Sequence, residues 1–226
     1  FGAIKAAWGD EQVRRVLKNM VPATLAVSVA QISLIINTNI ASHLDKGSVS
    51  WISYGDRLME FPTALLGVAL GTVLLPSLSA AATRSHDEFS RLMDWGLRLT
   101  VAFVLPAAIG MGLFSEALVA LLFHYGRFDA VDVAMTSQAV VAYSLGLAGL
   151  VLVKILAPGF YAKQDIRTPV KIGIGVVAAT QLMNLVFVPL YGHAGLPLSI
   201  SGGALLNAAV LYWGLRRRGL YTPSTG

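Results

Sequence analysis

The hydrophobic pattern of the chain is one of long apolar runs separated by short polar stretches. A membrane-spanning helix needs about 20 mostly apolar residues. Six runs qualify, at about 20–42, 51–79, 96–114, 133–157, 169–190 and 194–215. None shows the strict alternation of a half-buried strand. The pattern predicts an all-α, polytopic membrane protein of six transmembrane helices.

Residues 1–19 precede the first run. Val13, Val16, Leu17 and Met20 recur at helical spacing, which predicts an interfacial leader running into the first span. In the third connection Leu118, Leu121, Leu122 and Tyr125 recur likewise, followed by Gly126. This reads as a short helix on the outer membrane face or as an ordinary packed re-entry turn. The domain expectation is a leader at 1–19, a six-helix transmembrane lobe at 20–218 and a tail at 219–226. Residues 1–19 lack the apolar core of a secretory signal. The chain begins at Phe1 rather than Met, which reads as a piece of something longer.

Charge adds an orientation. Lys5, Arg14, Arg15 and Lys18 precede the first span. Arg84, Arg91 and Arg98 fall at the second connection, and Lys154, Lys163, Arg167 and Lys171 at the fourth. Arg216, Arg217 and Arg218 follow the last span. The first and third connections carry only Lys46 and Arg127, and the fifth carries none. Basic residues alternate rich and poor across six spans, as they do when positive loops stay cytoplasmic. Both ends are therefore expected on the cytoplasmic side of the membrane.

Composition agrees with the pattern. The 226 residues are 55% hydrophobic and 13% charged, and mean hydropathy is +0.67. Soluble domains carry about 25% charged residues. With no cysteine, disulfides, Cys-ligated metals and thiol nucleophiles are excluded. His43, His86, His124 and His193 are scattered without metal spacing. No phosphate-binding glycine loop, zinc-protease motif or nucleophile elbow occurs. No catalytic residue, metal site or cofactor is expected, the chain is not read as an enzyme, and no nucleic-acid partner is expected.

The candidate chemistry lies in the second span, at Tyr54-Gly55-Asp56-Arg57-Leu58-Met59-Glu60-Phe61-Pro62. A charge at mid-span costs about 2.5–3.5 kcal/mol on insertion scales, so such residues face a bundle interior or a wet cavity. Arg57 and Glu60 share a helix face and could pair. Asp56 is rotated about 100° from Arg57. Two readings stand: a structural ion pair, or a substrate site with Arg57 on an anionic group, Glu60 orienting it and Asp56 nearby. Arginine suits phosphate because its planar fork binds two oxygens at once and stays charged. The three side chains sum to −1, so a pyrophosphate would need cations from elsewhere.

Polar side chains in other spans include Asn37, Gln181, Asn184 and Asn207. They read as helix-packing hydrogen bonds or as an oxygen-lined ion site, although such sites usually include a carboxylate. Gly67 and Gly71 give a small-residue spacing that permits close helix approach. Lys154 reads as a snorkelling side chain. Pro22, Pro62, Pro76, Pro106, Pro189 and Pro197 predict kinked spans.

The run from Ser50 to Pro62, continuing through Gly71-Thr72-Val73-Leu74-Leu75-Pro76-Ser77-Leu78-Ser79, resembles the MurJ (MviN) lipid II flippases. So do Lys154 to Pro169 and His193-Ala194-Gly195-Leu196. The resemblance covers essentially the whole chain. It implies the MOP exporter superfamily, which includes the MATE antiporters. It implies two six-helix lobes around a central cavity, with this chain as the second lobe and the first lobe as its missing partner. Two C-terminal helices would form a further groove.

The implied activity is alternating-access transfer of lipid II, an undecaprenyl-pyrophosphate-linked peptidoglycan precursor, from the cytoplasmic to the periplasmic leaflet. Lipid II and membrane lipids are the implied partners. By the same resemblance Arg57 matches a cavity arginine of the eighth helix, and Glu60 the acid one turn on. The other cavity arginines would belong to the first lobe. Some members have a sodium site with an acidic ligand in the seventh helix, near where this chain has Asn37. A flippase for another polyprenyl-linked glycan, a drug antiporter and a non-transporting membrane scaffold remain as alternatives.

Overall fold

The structure is a computed structural model and describes residues 11–223. Helix α1 is Glu11–Ser42. Helix α2, Ser48–Pro62, continues through a π-helical turn, Thr63–Val68, into α3, Ala69–Arg84. Then follow α4 (His86–Leu113), the short α5 (Ser115–Phe123), α6 (Ala130–Ala162), α7 (Arg167–Tyr191) and α8 (Gly195–Arg217). Four continuous stretches, 48–84, 86–113, 130–162 and 167–217, are long and apolar enough to cross a membrane. The last folds back at Gly192–Ala194 into two helices. With α1, six helices span.

The helices overrun the apolar runs because polar residues cap them beyond the hydrocarbon zone. The third run begins at 96, but α4 begins ten residues earlier. The Ser85 hydroxyl accepts from the Glu88 N–H, and Asp87 and Glu88 occupy the first turn, where the helix dipole favours anions. Asp129 and Asp132 form a reciprocal capping box that starts α6 at Ala130. The leader expected at 1–19 falls partly outside the described residues, as do the side chains of its apolar stripe. From Glu11 the backbone is simply the start of α1.

Helix α6 is the central post. Its Val140, Leu147 and Val151 pack with Met59, Val104 and Val119 at one end of the lobe. Its Ile155, Leu156 and Phe160 pack with Leu78, Phe89, Met93 and Leu215 at the other. The α6–α8 crossing is the tightest. A Cβ added at Gly149 would lie 2.5 Å from the backbone of Ala204 and Leu205, and one at Gly146 would strike Ser201. Gly71 also permits a close approach, since a Cβ added there would lie 3.3 Å from the Lys154 backbone oxygen of α6. Beside Gly67 lies the stem of Lys154, whose Cδ would be 2.5 Å from an added Cβ.

The segment after α8 packs back on the lobe. Tyr221 is buried and donates its hydroxyl to Asp94, the Thr222 N–H donates to Ser90 Oγ, and Arg218 donates to Asp165 at 2.5 Å.

Candidate functional site

One face of α2 is fixed and the other is free. Trp51, Gly55 and Met59, each four residues apart, are buried. Gly55 permits contact with α6, where an added Cβ would be 3.2 Å from Ala139 Cβ. Trp51 donates its indole N–H to Asp132 at 2.6 Å. Ser53, Asp56, Arg57 and Glu60 are consequently turned out and exposed.

The charged residues part company. Arg57 lines an open hollow of about 790 Å³ with Leu58, Phe61, Met111, Phe114 and Leu118. It is the hollow's only charged residue among the described residues. Asp56, one residue and about 100° away, lines a separate pocket of about 140 Å³ with Asn37, Thr38, Ser53 and Tyr143. The Arg57–Glu60 ion pair that the spacing allows is not formed, and Arg57 takes no part in the Arg84–Glu88, His86–Asp87 or Arg218–Asp165 pairs. Arg57 presents its guanidinium to an apolar hollow, without an ion pair to the neighbouring Asp56 or Glu60.

Below the site the helix changes pitch. Pro62 has no N–H to give, and the Thr63 hydroxyl donates to Met59 O at 2.7 Å. The π-helical turn follows directly. Such turns arise where the hydrogen-bond ladder is re-registered and are frequent at functional sites.

The amide side chains divide. Gln181 Nε2 donates to Ser33 Oγ at 3.0 Å and to Asn37 Oδ1 at 3.2 Å. Asn184 Nδ2 donates to Asn37 Oδ1 at 3.0 Å and to Gln181 Oε1 at 3.1 Å. Asn37, Gln181 and Asn184 thus join α1 to α7. Asn207 is not part of this set. Gly203 packs on Thr180, so in the antiparallel hairpin Asn207 lies beyond that contact from Asn184. The carboxamide oxygens of Asn184 and Asn207 are buried and accept no hydrogen bond among the described residues.

The sequence reading passed over a second group, at the end of the lobe where α2 and α6 begin. Gly47, Trp51, Tyr54, Phe123, Tyr125, Arg127, Phe128 and Asp132 enclose a basin of about 320 Å³. Tyr54 packs against Phe123 and Phe128, with ring centroids 4.9 and 5.2 Å away. The signal was the run Phe123-His124-Tyr125-Gly126-Arg127-Phe128, in which aromatics flank the connection's single cation.

A family model described as lipid II flippase MurJ matches residues 3–226. The chain belongs to the MurJ family. The lipid II flippase MurJ of Burkholderia cenocepacia is 64% identical over 215 residues, which are 95% of this chain and 42% of that protein. The probable lipid II flippase MurJ of Vibrio cholerae is 41% identical over 218 residues, 96% of this chain and 42% of that protein. The chain thus spans less than half the length of these curated relatives. Among solved structures, a lipid II flippase MurJ in an inward closed conformation superposes with a TM-score of 0.80 at 24% identity, covering 92% of this chain and 45% of that one. An outward-facing MATE multidrug transporter of the MOP superfamily gives 0.79 at 12%, covering 93% and 47%. These two likenesses establish the fold: the chain superposes on a little under half of each of those two proteins.

Proposed function

We propose that the chain is the second lobe of a flippase that moves lipid II from the cytoplasmic to the periplasmic leaflet of a bacterial inner membrane. The carrying observation is the exposed Arg57 guanidinium on the wall of an apolar hollow, with no carboxylate within 4.0 Å among the described residues. A charge at that depth is costly unless it serves a hydrated path or an anionic ligand. A pyrophosphate joined to a polyprenyl chain offers both an anion for the guanidinium and an apolar body for the hollow. Glu60, one turn along, orients the guanidinium or exchanges partners with it as the lobes rock. Asp56 belongs to the Asn37 pocket and acts there.

The first lobe of the same protein supplies the opposing wall and the further cations that a pyrophosphate requires. Fourteen of the 17 Lys and Arg residues fall at the α1, α3–α4, α6–α7 and α8 ends of the lobe. This supports cytoplasmic ends and a periplasmic α5. The work is binding and movement rather than covalent chemistry, since the cluster offers no nucleophile with an adjacent base.

The test is depletion of the full-length protein in living cells, with lipid II measured separately in the two leaflets. Accumulation at the cytoplasmic leaflet, reversed by re-expression, is the expected result. Unchanged distribution would exclude lipid II as the cargo.

A further inference from the structure

The hollow beside Arg57 and the aromatic basin at the head of α2 are parts of one amphipathic surface. Phe123 forms part of both walls. Tyr54, Leu58 and Phe61 run along one stripe of α2 at spacings of four and three, leading from the basin into the hollow. Above Phe123 the wall is aromatic and polar, with the exposed Arg127 guanidinium. Below it the wall is apolar apart from Arg57. The short helix α5 roofs the junction, with Leu118 in the hollow and Leu121 and Leu122 exposed.

We infer that this surface seats the lipid after it has crossed, with the prenyl chain in the hollow under α5 and the first sugar and its phosphate in the basin. The inference rests on the flippase reading above and adds a periplasmic-side site to it. Two observations select the occupant. Arg57 and Arg127 are both exposed and form no ion pair within 4.0 Å among the described residues, so the surface offers two guanidiniums along an apolar track, with the basin's Asp132 carboxylate already held by the Trp51 and Asp129 N–H groups. This suits an anionic group attached to a long chain. Secondly, Tyr54, Phe123, Tyr125 and Phe128 present ring surface at the level of the polar head, where the polarised C–H face of a sugar meets the negative face of an aromatic ring. A bulk phospholipid would use the hollow and the cations but has no ring for those walls.

The orientation follows from the helices. Arg57 lies about 13.5 Å from the Ser48 end of α2, at 1.5 Å per residue. Arg127 lies in the connection beyond that end, just before α6. An anion leaving Arg57 outward is therefore received by Arg127 while its chain stays on the Leu58–Phe61–Leu118 wall. Gly110 faces the open space of the hollow, where an added Cβ would meet nothing within 4 Å.

The test uses full-length protein in vesicles containing radiolabelled lipid II and phosphatidylglycerol. A photo-crosslinking residue is placed at Leu118 in one preparation and at Glu60 in another. Capture of lipid II at Leu118 supports the seat when it falls about tenfold both with Gly110→Phe, which fills the hollow, and with Arg127→Gln, which leaves it open. Thermal unfolding of each variant verifies that it is folded. Capture of lipid II at Glu60 with only phosphatidylglycerol, or nothing, at Leu118 overturns the seat and leaves the flippase reading standing. Failure to capture lipid II at both positions overturns the seat together with the reading beneath it.

Discussion

Trp51 and Asp132 are 81 residues apart in the chain, yet the indole N–H of one lies 2.6 Å from the carboxylate of the other. Asp132 also accepts from the Asp129 N–H at 3.1 Å, so one carboxylate both caps α6 and fixes α2 upon it. Trp51 stands two turns above Arg57, and its angular setting is passed down the helix to the site. Trp51→Phe keeps the ring and removes the donor. A hydrogen bond to a charged group contributes about 1.5–3 kcal/mol, so this variant should lower the unfolding free energy by about 2 kcal/mol. Thermal unfolding of purified protein reads this out.

The close approach of α6 and α8 predicts a larger loss. At Gly149 the obstructing atoms are backbone of Ala204 and Leu205 at 2.5 Å, which no side-chain rotation can relieve. Gly149→Ala should cost about 3 kcal/mol by overpacking. Gly110→Ala, which meets nothing within 4 Å, should be tolerated. Expression level and melting temperature of the two variants make the comparison.

The six spans were legible because hydropathy alone sets them, and their charge alternation supports the count. Cap chemistry could also be read, and the extra turns of α4 and α6 follow from Ser85, Asp87, Glu88, Asp129 and Asp132. Less legible was which small residues touch. Gly67 and Gly71 have the spacing of a packing motif, yet only Gly71 meets a second backbone, at Lys154 O, whereas the Lys154 side chain lies beside Gly67. Pairing depends on the mutual rotation of distant helices, which local sequence does not encode. At the site, the rotation between Asp56 and Arg57 was computable from 3.6 residues per turn. That they would open onto different pockets was not, since Asn37 comes from α1 and Leu118 and Phe123 from α5. The basin around Arg127 escaped because its residues come from α2, α5, α6 and the connection before α6, which only the fold brings together.

The Arg218–Asp165 contact carries a pH dependence. Burial alone would raise the Asp165 pKa. Hydrogen bonds from the Thr168 hydroxyl and N–H, together with the Arg218 cation, overcome it and hold the carboxyl below its ordinary value. An acid whose pKa is depressed on folding stabilises the fold above its unfolded pKa and ceases to do so as pH falls through the folded value. The wild type should therefore lose stability as pH drops below about 4. Asp165→Asn should be less stable at neutral pH and should lack that component of the acid loss. Melting temperatures recorded from pH 3 to 7 distinguish the two curves.

Asn37 accepts from Gln181 and Asn184 with the same oxygen, so Asn37→Ala removes two of the α1–α7 hydrogen bonds and leaves Gln181 to Ser33. Interhelical hydrogen bonds in membranes average about 0.6 kcal/mol each, so the loss should be about 1 kcal/mol. A melting temperature that depends on sodium in the wild type but not in the variant would instead mark the cluster as a cation site.

The account stands on Arg57 gripping a diphosphate with two parallel hydrogen bonds, which an ammonium cannot reproduce. The most direct test is lipid II flipping by reconstituted full-length protein bearing Arg57→Lys, with melting temperature recorded in parallel. A flipping rate reduced at least about tenfold at unchanged melting temperature is the result predicted here. Wild-type flipping by the lysine variant would contradict it.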